Sequence, residues 1–126
     1  PRLATYEGPL WRLVATEVSA AYARDLTARE ACDRWHSGAY LLETVPSVLY
    51  ILMRHGVAVE EAVTRAVNDT KDSDTVAAIV GAAVGALHGL GAIPARWRGG
   101  LTGRTTDRDD GQIFALIEEA RGRWWS

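Results

Sequence analysis

Two aspartates and a threonine stand close together at the start of a segment of very small residues. Asp72 and Asp74 flank a serine, and Thr75 follows directly. Carboxylate and hydroxyl oxygens are hard ligands that suit Mg²⁺, Ca²⁺ or Mn²⁺ rather than zinc. A helix start also offers backbone N–H groups that favour anionic groups. The stretch therefore predicts a divalent-cation site, with ordinary helix capping by these residues as the alternative.

Other acidic motifs fit this stretch less well. An EF-hand loop needs a central glycine and a terminal glutamate, and both are absent when the loop is started at Asn68 or Asp69. A haloacid-dehalogenase-type phosphatase would place its aspartates after a hydrophobic strand, whereas residues 60–67 have the pattern of a helix. No Ser-His-Asp arrangement can be argued from the sequence.

Composition excludes several classes of protein. The chain has 126 residues and a formal net charge of −2, so no strong positive field points to nucleic acid or to an anionic membrane. Cys32 is the only cysteine, which excludes an internal disulfide and a cysteine-based metal cluster. This usage fits a reducing compartment, and we expect a cytoplasmic protein. Because it starts at Pro1, we expect the chain to be a piece of a longer protein or a processed product.

Hydrophobic periodicity predicts helices and no strands. Helical spacing of apolar residues covers residues 9–24, 41–53, 59–67, 73–89 and 112–121, and a short helical turn is predicted at 93–97. Residues 25–34 are more polar and are interpreted as a helix end or a loop, and loops are predicted at 35–39 and 99–110. Ser73 or Asp74 is expected to cap the helix that follows the acidic motif.

The segment from Val76 to Leu87 is wholly apolar or small and needs testing as a membrane span. It is shorter than the roughly 20 residues that a span requires, so a buried soluble helix is the better interpretation. Gly81, Gly85 and Gly89 recur on one stripe of this helix. Because each interior glycine costs roughly 1 kcal/mol relative to alanine, the stripe predicts a neighbouring helix backbone at close range.

The motif in its wider context resembles a known family. One group of matching segments reads Ala66-Val67-Asn68, Asp72-Ser73-Asp74-Thr75-Val76-Ala77-Ala78-Ile79, Gly81-Ala82, Gly85-Ala86, Gly89, Ile93-Pro94 and Trp97. It resembles the C-terminal signature of the ADP-ribosylglycohydrolase family, which includes the dinitrogenase-reductase-activating glycohydrolases. The upstream stretches Ser37-Gly38-Ala39-Tyr40 and Glu43-Thr44-Val45-Pro46 resemble its substrate loop and the helix after it. The resemblance covers residues 36–104 and extends to 110–121, while residues 1–34 are not placed.

The resemblance implies an all-α fold, a compact multi-helix bundle of which residues 1–126 form a single domain or a C-terminal fragment. It implies a centre of two metal ions, usually Mg²⁺, with Mn²⁺ or Ca²⁺ possible. Asp72, Asp74 and Thr75 take the positions of metal ligands, and Asp74 is the expected catalytic carboxylate. The substrate-binding positions are Ser37, Gly38, Ala39 and Tyr40. Tyr40 is expected either to stack near adenine or to pack in the core.

Two departures from the family pattern affect the site. Many relatives have a Gly-Gly pair where this chain has Thr70-Lys71, so the only lysine of the chain lies beside the motif, where it would contact a diphosphate or turn to solvent. Relatives also carry a Thr-Asp-Asp ligand set in an N-terminal half. The string at residues 106–110 is interpreted as a solvated loop or helix cap. The remaining ligands are therefore expected from an N-terminal part of the same protein, with a second polypeptide as the alternative.

The function implied by the resemblance is a metal-dependent hydrolase. It would remove ADP-ribose from a modified protein, nucleic acid or small molecule by cleaving the glycosidic bond at the anomeric carbon of the ribose. The alternative is a non-catalytic ADP-ribose-binding or structural member of the same fold, like the J-type crystallins. The expected partners are ADP-ribose or an ADP-ribosylated target, with no membrane and no strong nucleic-acid signature.

Overall fold

The structure is a computed structural model that describes residues 8–101 and 111–125. All regular elements within these ranges are helical, so the prediction of an all-α fold is confirmed. The chain separates into two compact units, Pro1–Ile93 and Pro94–Ser126. Both segments that carry predicted chemistry, the acidic motif and the substrate loop, lie in the first unit.

The helices of the first unit follow one another with short connections. They are α1 (Pro9–Leu13), a π-helical turn (Val14–Val18), α2 (Ser19–Ala23), α3 (Ala28–Arg34), α4 (Leu41–His55), α5 (Val59–Asp69), α6 (Ser73–His88) and a 3₁₀ turn (Leu90–Ala92). The second unit contains α7 (Ala95–Gly99) and α8 (Gln112–Trp124). Most of the loop predicted at 99–110, including the string at 106–110, lies outside the described residues.

Helix α3 is where the sequence interpretation was wrong, because residues 28–34 are helical rather than a helix end or loop. Thr27 caps this helix, and its hydroxyl oxygen accepts a hydrogen bond from the backbone N–H of Glu30 at 3.2 Å. The Glu30 carboxylate in turn accepts from the backbone N–H of Thr27 at 2.8 Å. This bond from the backbone of Thr27, together with one from its hydroxyl at 2.7 Å, holds the pKa of the Glu30 carboxyl below its usual range. The reciprocal pair is a capping box, a signal that the spacing of Thr27 and Glu30 already contained.

The core of the first unit is centred on α4, which contacts α3, α5 and α6. Tyr50 is fully buried, and its hydroxyl donates to the carbonyl of Leu26 at 2.5 Å. The Tyr50 ring meets the buried ring of Trp35 edge-on, with centroids 6.1 Å apart. The Trp35 indole N–H donates to the hydroxyl of Ser47, also buried, at 2.8 Å. Each buried polar group here therefore has a partner, which is the condition for placing it in an apolar core.

Helix α6 buries a different face from the one expected. Val76, Val80 and Val84 enter the core. A Cβ added at Gly81 would contact only a methyl group of Val63 at 3.7 Å, and one added at Gly85 would meet nothing within 4 Å. Within the described part of the chain, the expected close approach of a neighbouring backbone is therefore absent.

The remaining surface of α6 is apolar but exposed. Its small positions Ala78, Ala82 and Ala86 lie at the surface, as do Ile79 and Leu87. Because a helix that is apolar on all sides is typically buried on all sides, the exposed surface of α6 is unusual. Among the described helices, none is long and apolar enough to cross a bilayer.

The buried cysteine of α3 gives a direct test of the core. Cys32 is fully buried, and burial raises the pKa of its thiol to about 11. Because the thiolate is the reactive form, we expect Cys32 of the native protein to resist an aromatic disulfide reagent at pH 8 and to react at once in denaturant. Absorbance of the released thiolate measures both. Rapid stoichiometric labelling of the native chain would contradict the packing of α3 against α4.

Candidate metal centre and substrate loop

The predicted substrate loop is fixed to α4 at both ends. On its N-terminal side, Trp35 is anchored in the core by its indole bond to Ser47. On its C-terminal side, the hydroxyl of Thr44 donates to the carbonyl of Gly38 at 2.9 Å. The loop between these anchors therefore has little freedom, although it has no regular structure.

Two consecutive residues of this loop adopt a backbone conformation that is unusual for residues other than glycine. His36 has φ 77° and Ser37 has φ 46°, both in the left-handed region. Such conformations cost free energy and persist where surrounding contacts fix them. They turn Ser37 inward, so that only 1% of its surface is exposed.

Ser37 joins the substrate loop to the acidic motif. Its carbonyl accepts a hydrogen bond from the backbone N–H of Asp72 at 3.1 Å. Its hydroxyl oxygen accepts from the backbone N–H of Lys71 at 3.2 Å. The two segments that the sequence identified separately thus meet in the folded chain, through one bond between backbone groups and one that the Ser37 side chain accepts.

The end of α5 is held in place just before the motif. Asp69 is nearly buried, and its carboxylate pairs with Arg29 of α3 at 3.1 Å and with Arg65 of α5 at 3.4 Å. The next residue, Thr70, donates its hydroxyl hydrogen to the carbonyl of Ala66 at 2.6 Å. Residues 70–72 therefore leave α5 from a fixed point, which sets the direction of the motif.

The N-cap position of α6 has no side-chain cap, although one carboxylate of the motif accepts from a backbone N–H of the first turn. Asp72 occupies the N-cap position of α6, yet its side chain makes no capping bond, and the expectation that Ser73 or Asp74 would cap the helix is wrong. The Asp74 carboxylate accepts instead from the backbone N–H of Thr75 at 2.9 Å. The Thr75 side chain is exposed.

The two aspartates of the motif contact one another. Interaction with the Asp72 side chain, together with the backbone N–H groups of Thr75 and of Asp74 itself, lowers the pKa of Asp74 from its usual value. Two ionised carboxylates repel, and a divalent cation bound by both would offset that repulsion. The hard oxygen donors of the two aspartates fit Mg²⁺.

The ligand set is nevertheless incomplete in the part of the chain that the structure describes. Residues 8–101 and 111–125 contain no group of three or more histidine, cysteine or acidic side chains placed to hold a metal ion. Asp72, Asp74 and the Thr75 hydroxyl could supply one side of a coordination sphere. The other side would have to come from water, substrate or further protein groups.

The remaining loop residues differ in their placement. Gly38 contributes its carbonyl to Thr44, and Ala39 is exposed. Tyr40 is 78% exposed at the start of α4, so the alternative that it packs in the core is wrong. Its ring is accessible to a ligand, and its role in stacking stays a prediction.

One contact at the site was not foreseen from the sequence. The Lys71 ammonium lies 2.8 Å from Nδ1 of His36, across the junction between the motif and the loop. The position of the chain's only lysine beside the acidic motif was a signal in the sequence, but the sequence did not show where its side chain points. The alternative in which Lys71 simply turns to solvent is therefore incomplete, because its exposed side chain has a defined partner.

A comparison with protein families decides the relationship that this geometry indicates. The family model described as ADP-ribosylglycohydrolase matches residues 3–124. The chain belongs to the ADP-ribosylglycohydrolase family. The match also includes residues 3–34, which the sequence motifs alone left unplaced. No curated protein and no solved structure matches the chain significantly.

Membership of the ADP-ribosylglycohydrolase family bears on the contact between the predicted substrate loop and the acidic motif. The same two segments that carry the family resemblance, residues 37–40 and 72–75, are the ones that the fold brings together. Hydrogen bonds from residues 71 and 72 to Ser37 make that junction.

Proposed function

We propose that this chain is the metal-binding part of a hydrolase that removes ADP-ribose from a modified protein, nucleic acid or small molecule. The observation that carries the proposal is the pair of hydrogen bonds by which Ser37 joins the substrate loop to the acidic motif. Family membership supplies the class of reaction, cleavage of a glycosidic bond of ADP-ribose by water.

In this proposal Asp72, Asp74 and Thr75 hold Mg²⁺ through their side-chain oxygens. When bound, the metal supplies polarisation of the ribose oxygens and a lowered pKa for its water ligand. Asp74 is ionised at neutral pH, and its lowered pKa agrees with a role as a cation ligand. Asp74 is the residue proposed to take the proton of the attacking water.

The substrate loop is proposed to position the ADP-ribose. Its anchors at Trp35 and Thr44 fix residues 36–38, so that the loop presents a preformed surface to the ligand. A preformed surface lowers the entropy cost of binding and of aligning the anomeric carbon with water. The exposed ring of Tyr40 is available to stack on adenine.

Further polypeptide, proposed to be an N-terminal part of the same cytoplasmic protein, would complete the site. Two observations support this. The described residues lack a full ligand set. Helix α6, whose first turn carries the acidic motif, has an exposed apolar surface along Ala78, Ala82 and Ala86. A segment packed on that surface would reach the metal ligands at the start of the same helix.

Calorimetry on the 126-residue chain tests the proposal. We expect ADP-ribose to bind in the presence of Mg²⁺ and to bind at least about tenfold more weakly in EDTA, because the metal held by Asp72, Asp74 and Thr75 would offset their negative charge and attract the ligand's oxygens. Binding that is indifferent to Mg²⁺ would point to a non-catalytic ADP-ribose-binding protein. An absence of binding under both conditions would contradict a substrate site formed by this chain.

A further inference from the structure

The lysine of the motif does not pair with the carboxylates beside it. Lys71 directly precedes Asp72, yet its ammonium contacts the ring of His36, and among the described residues no carboxylate forms an ion pair with it. A lysine next to two aspartates would ordinarily be drawn to them. The structure turns it toward the substrate loop instead.

The contact fixes the hydrogen-bonding state of both groups. An ammonium only donates, so Nδ1 of His36 acts as the acceptor in this contact. Lys71 keeps two further N–H donors. Both side chains are exposed, so these donors are accessible to a ligand in the substrate loop.

The backbone beneath the pair is also fixed. The Lys71 N–H donates to the buried hydroxyl of Ser37, and His36 is the residue before that serine. Lys71 and His36 are therefore held at two points, one through the backbone and one through the side chains. A cation held in this way loses less entropy when it binds an anion than a freely rotating lysine does.

We propose that Lys71, held by His36, binds a phosphate group of the substrate and so makes the site selective for phosphorylated nucleosides over uncharged ones. The inference rests on the proposed function, since ADP-ribose carries its diphosphate between the adenosine and the ribose that is cleaved. Close to Asp72 and Asp74 a phosphate would be repelled, and an ammonium that is not neutralised by those aspartates offsets the repulsion. Lys71 is thus a substrate-positioning residue.

The test compares, on wild-type and variant chains, three adenosine ligands that carry two, one or no phosphate groups. Titration calorimetry in Mg²⁺ measures the affinity for ADP-ribose, AMP and adenosine. The chains compared are the wild type, Lys71→Gln, Lys71→Arg and His36→Ala. We expect Lys71→Gln to weaken the binding of ADP-ribose and of AMP about tenfold, because one charge-assisted contact is lost. The affinity for adenosine should be unchanged. Lys71→Arg should restore most of the affinity, and His36→Ala should give a smaller loss, since the charge remains but is no longer held.

The controls separate this role from a structural one. Arg24→Gln removes the same charge from an exposed position at the end of α2 and should change none of the three affinities. Raising the salt concentration should weaken AMP binding less in Lys71→Gln than in wild type. Circular dichroism establishes that each variant is folded.

The outcomes distinguish the two proposals. If AMP binds in a Lys71-dependent way but ADP-ribose does not bind, the phosphate contact stands and the proposed function fails. If Lys71→Gln binds ADP-ribose and AMP as tightly as wild type does, the phosphate contact is overturned while the proposed function stands. If neither AMP nor ADP-ribose binds to the wild-type chain, both are overturned.

Discussion

Replacement of Asp74 by asparagine is expected to remove the Mg²⁺-dependent part of ADP-ribose binding, so that the affinity in Mg²⁺ falls at least about tenfold, to that of the wild type in EDTA. The amide keeps the shape of the side chain but cannot carry the charge that a divalent cation requires. Asp74 contacts both Asp72 and the backbone N–H of Thr75, so the change falls at the centre of the acidic motif. Calorimetry with ADP-ribose at saturating Mg²⁺ measures the effect.

The matched control for Asp74→Asn is Asp33→Asn. Asp33 is an exposed aspartate of α3, so this change removes the same charge away from the motif and should leave binding intact. Both variants should retain the helical circular dichroism spectrum of the wild type, because both side chains are exposed. Equal affinity of Asp74→Asn and wild type for ADP-ribose in Mg²⁺ would remove Asp74 from the ligand set and with it the proposed role as base.

Replacement of Tyr50 by alanine is expected to lower the free energy of unfolding by about 3–5 kcal/mol. Tyr50 is 0% exposed, meets the Trp35 ring edge-on and donates its hydroxyl hydrogen to the carbonyl of Leu26. The change therefore opens a cavity and leaves that carbonyl without this hydrogen-bond partner. Since domains are stable by about 5–15 kcal/mol, much of the stability would be lost. Denaturant unfolding followed by circular dichroism gives the difference.

The control is the other tyrosine of the same region. Tyr40 is 78% exposed at the N-cap of α4 and makes no capping bond, so Tyr40→Ala should change the free energy of unfolding by less than about 0.5 kcal/mol. A similar loss from both substitutions would mean that α4 is not packed as the structure has it. Tyr40→Ala also measures whether the exposed ring contributes to ADP-ribose binding.

Helix α3 shows how local signals can be present and overlooked. Its residues are polar enough to resemble a loop, and hydrophobic periodicity alone did not identify it. The capping box of Thr27 and Glu30 is nevertheless a purely local signal, readable at fixed spacing. A helix of seven residues has too few turns for hydrophobic periodicity to show clearly, so its capping box is the stronger signal.

Helix α6 shows the opposite case, in which a local signal was clear and its meaning was not. The sequence correctly predicted a helix that ends near Gly89, and α6 ends at His88 with Gly89 as its C-cap. Which face it buries depends on the helices around it, and the valines at 76, 80 and 84 rather than the glycines enter the core. A stripe of small residues makes the close approach of a neighbouring helix possible, but it does not show that such an approach occurs in this part of the molecule.

Patterns among neighbouring residues were enough to identify the helical class and the family and to predict the residue types of the candidate site. That the predicted substrate loop meets the acidic motif follows only from the packing of the helices, since Ser37 and Lys71 are 34 residues apart. That contact depends on how α3, α4 and α5 pack between them. The same packing turned Lys71 away from the aspartates and onto His36, a choice that the side chain alone does not dictate.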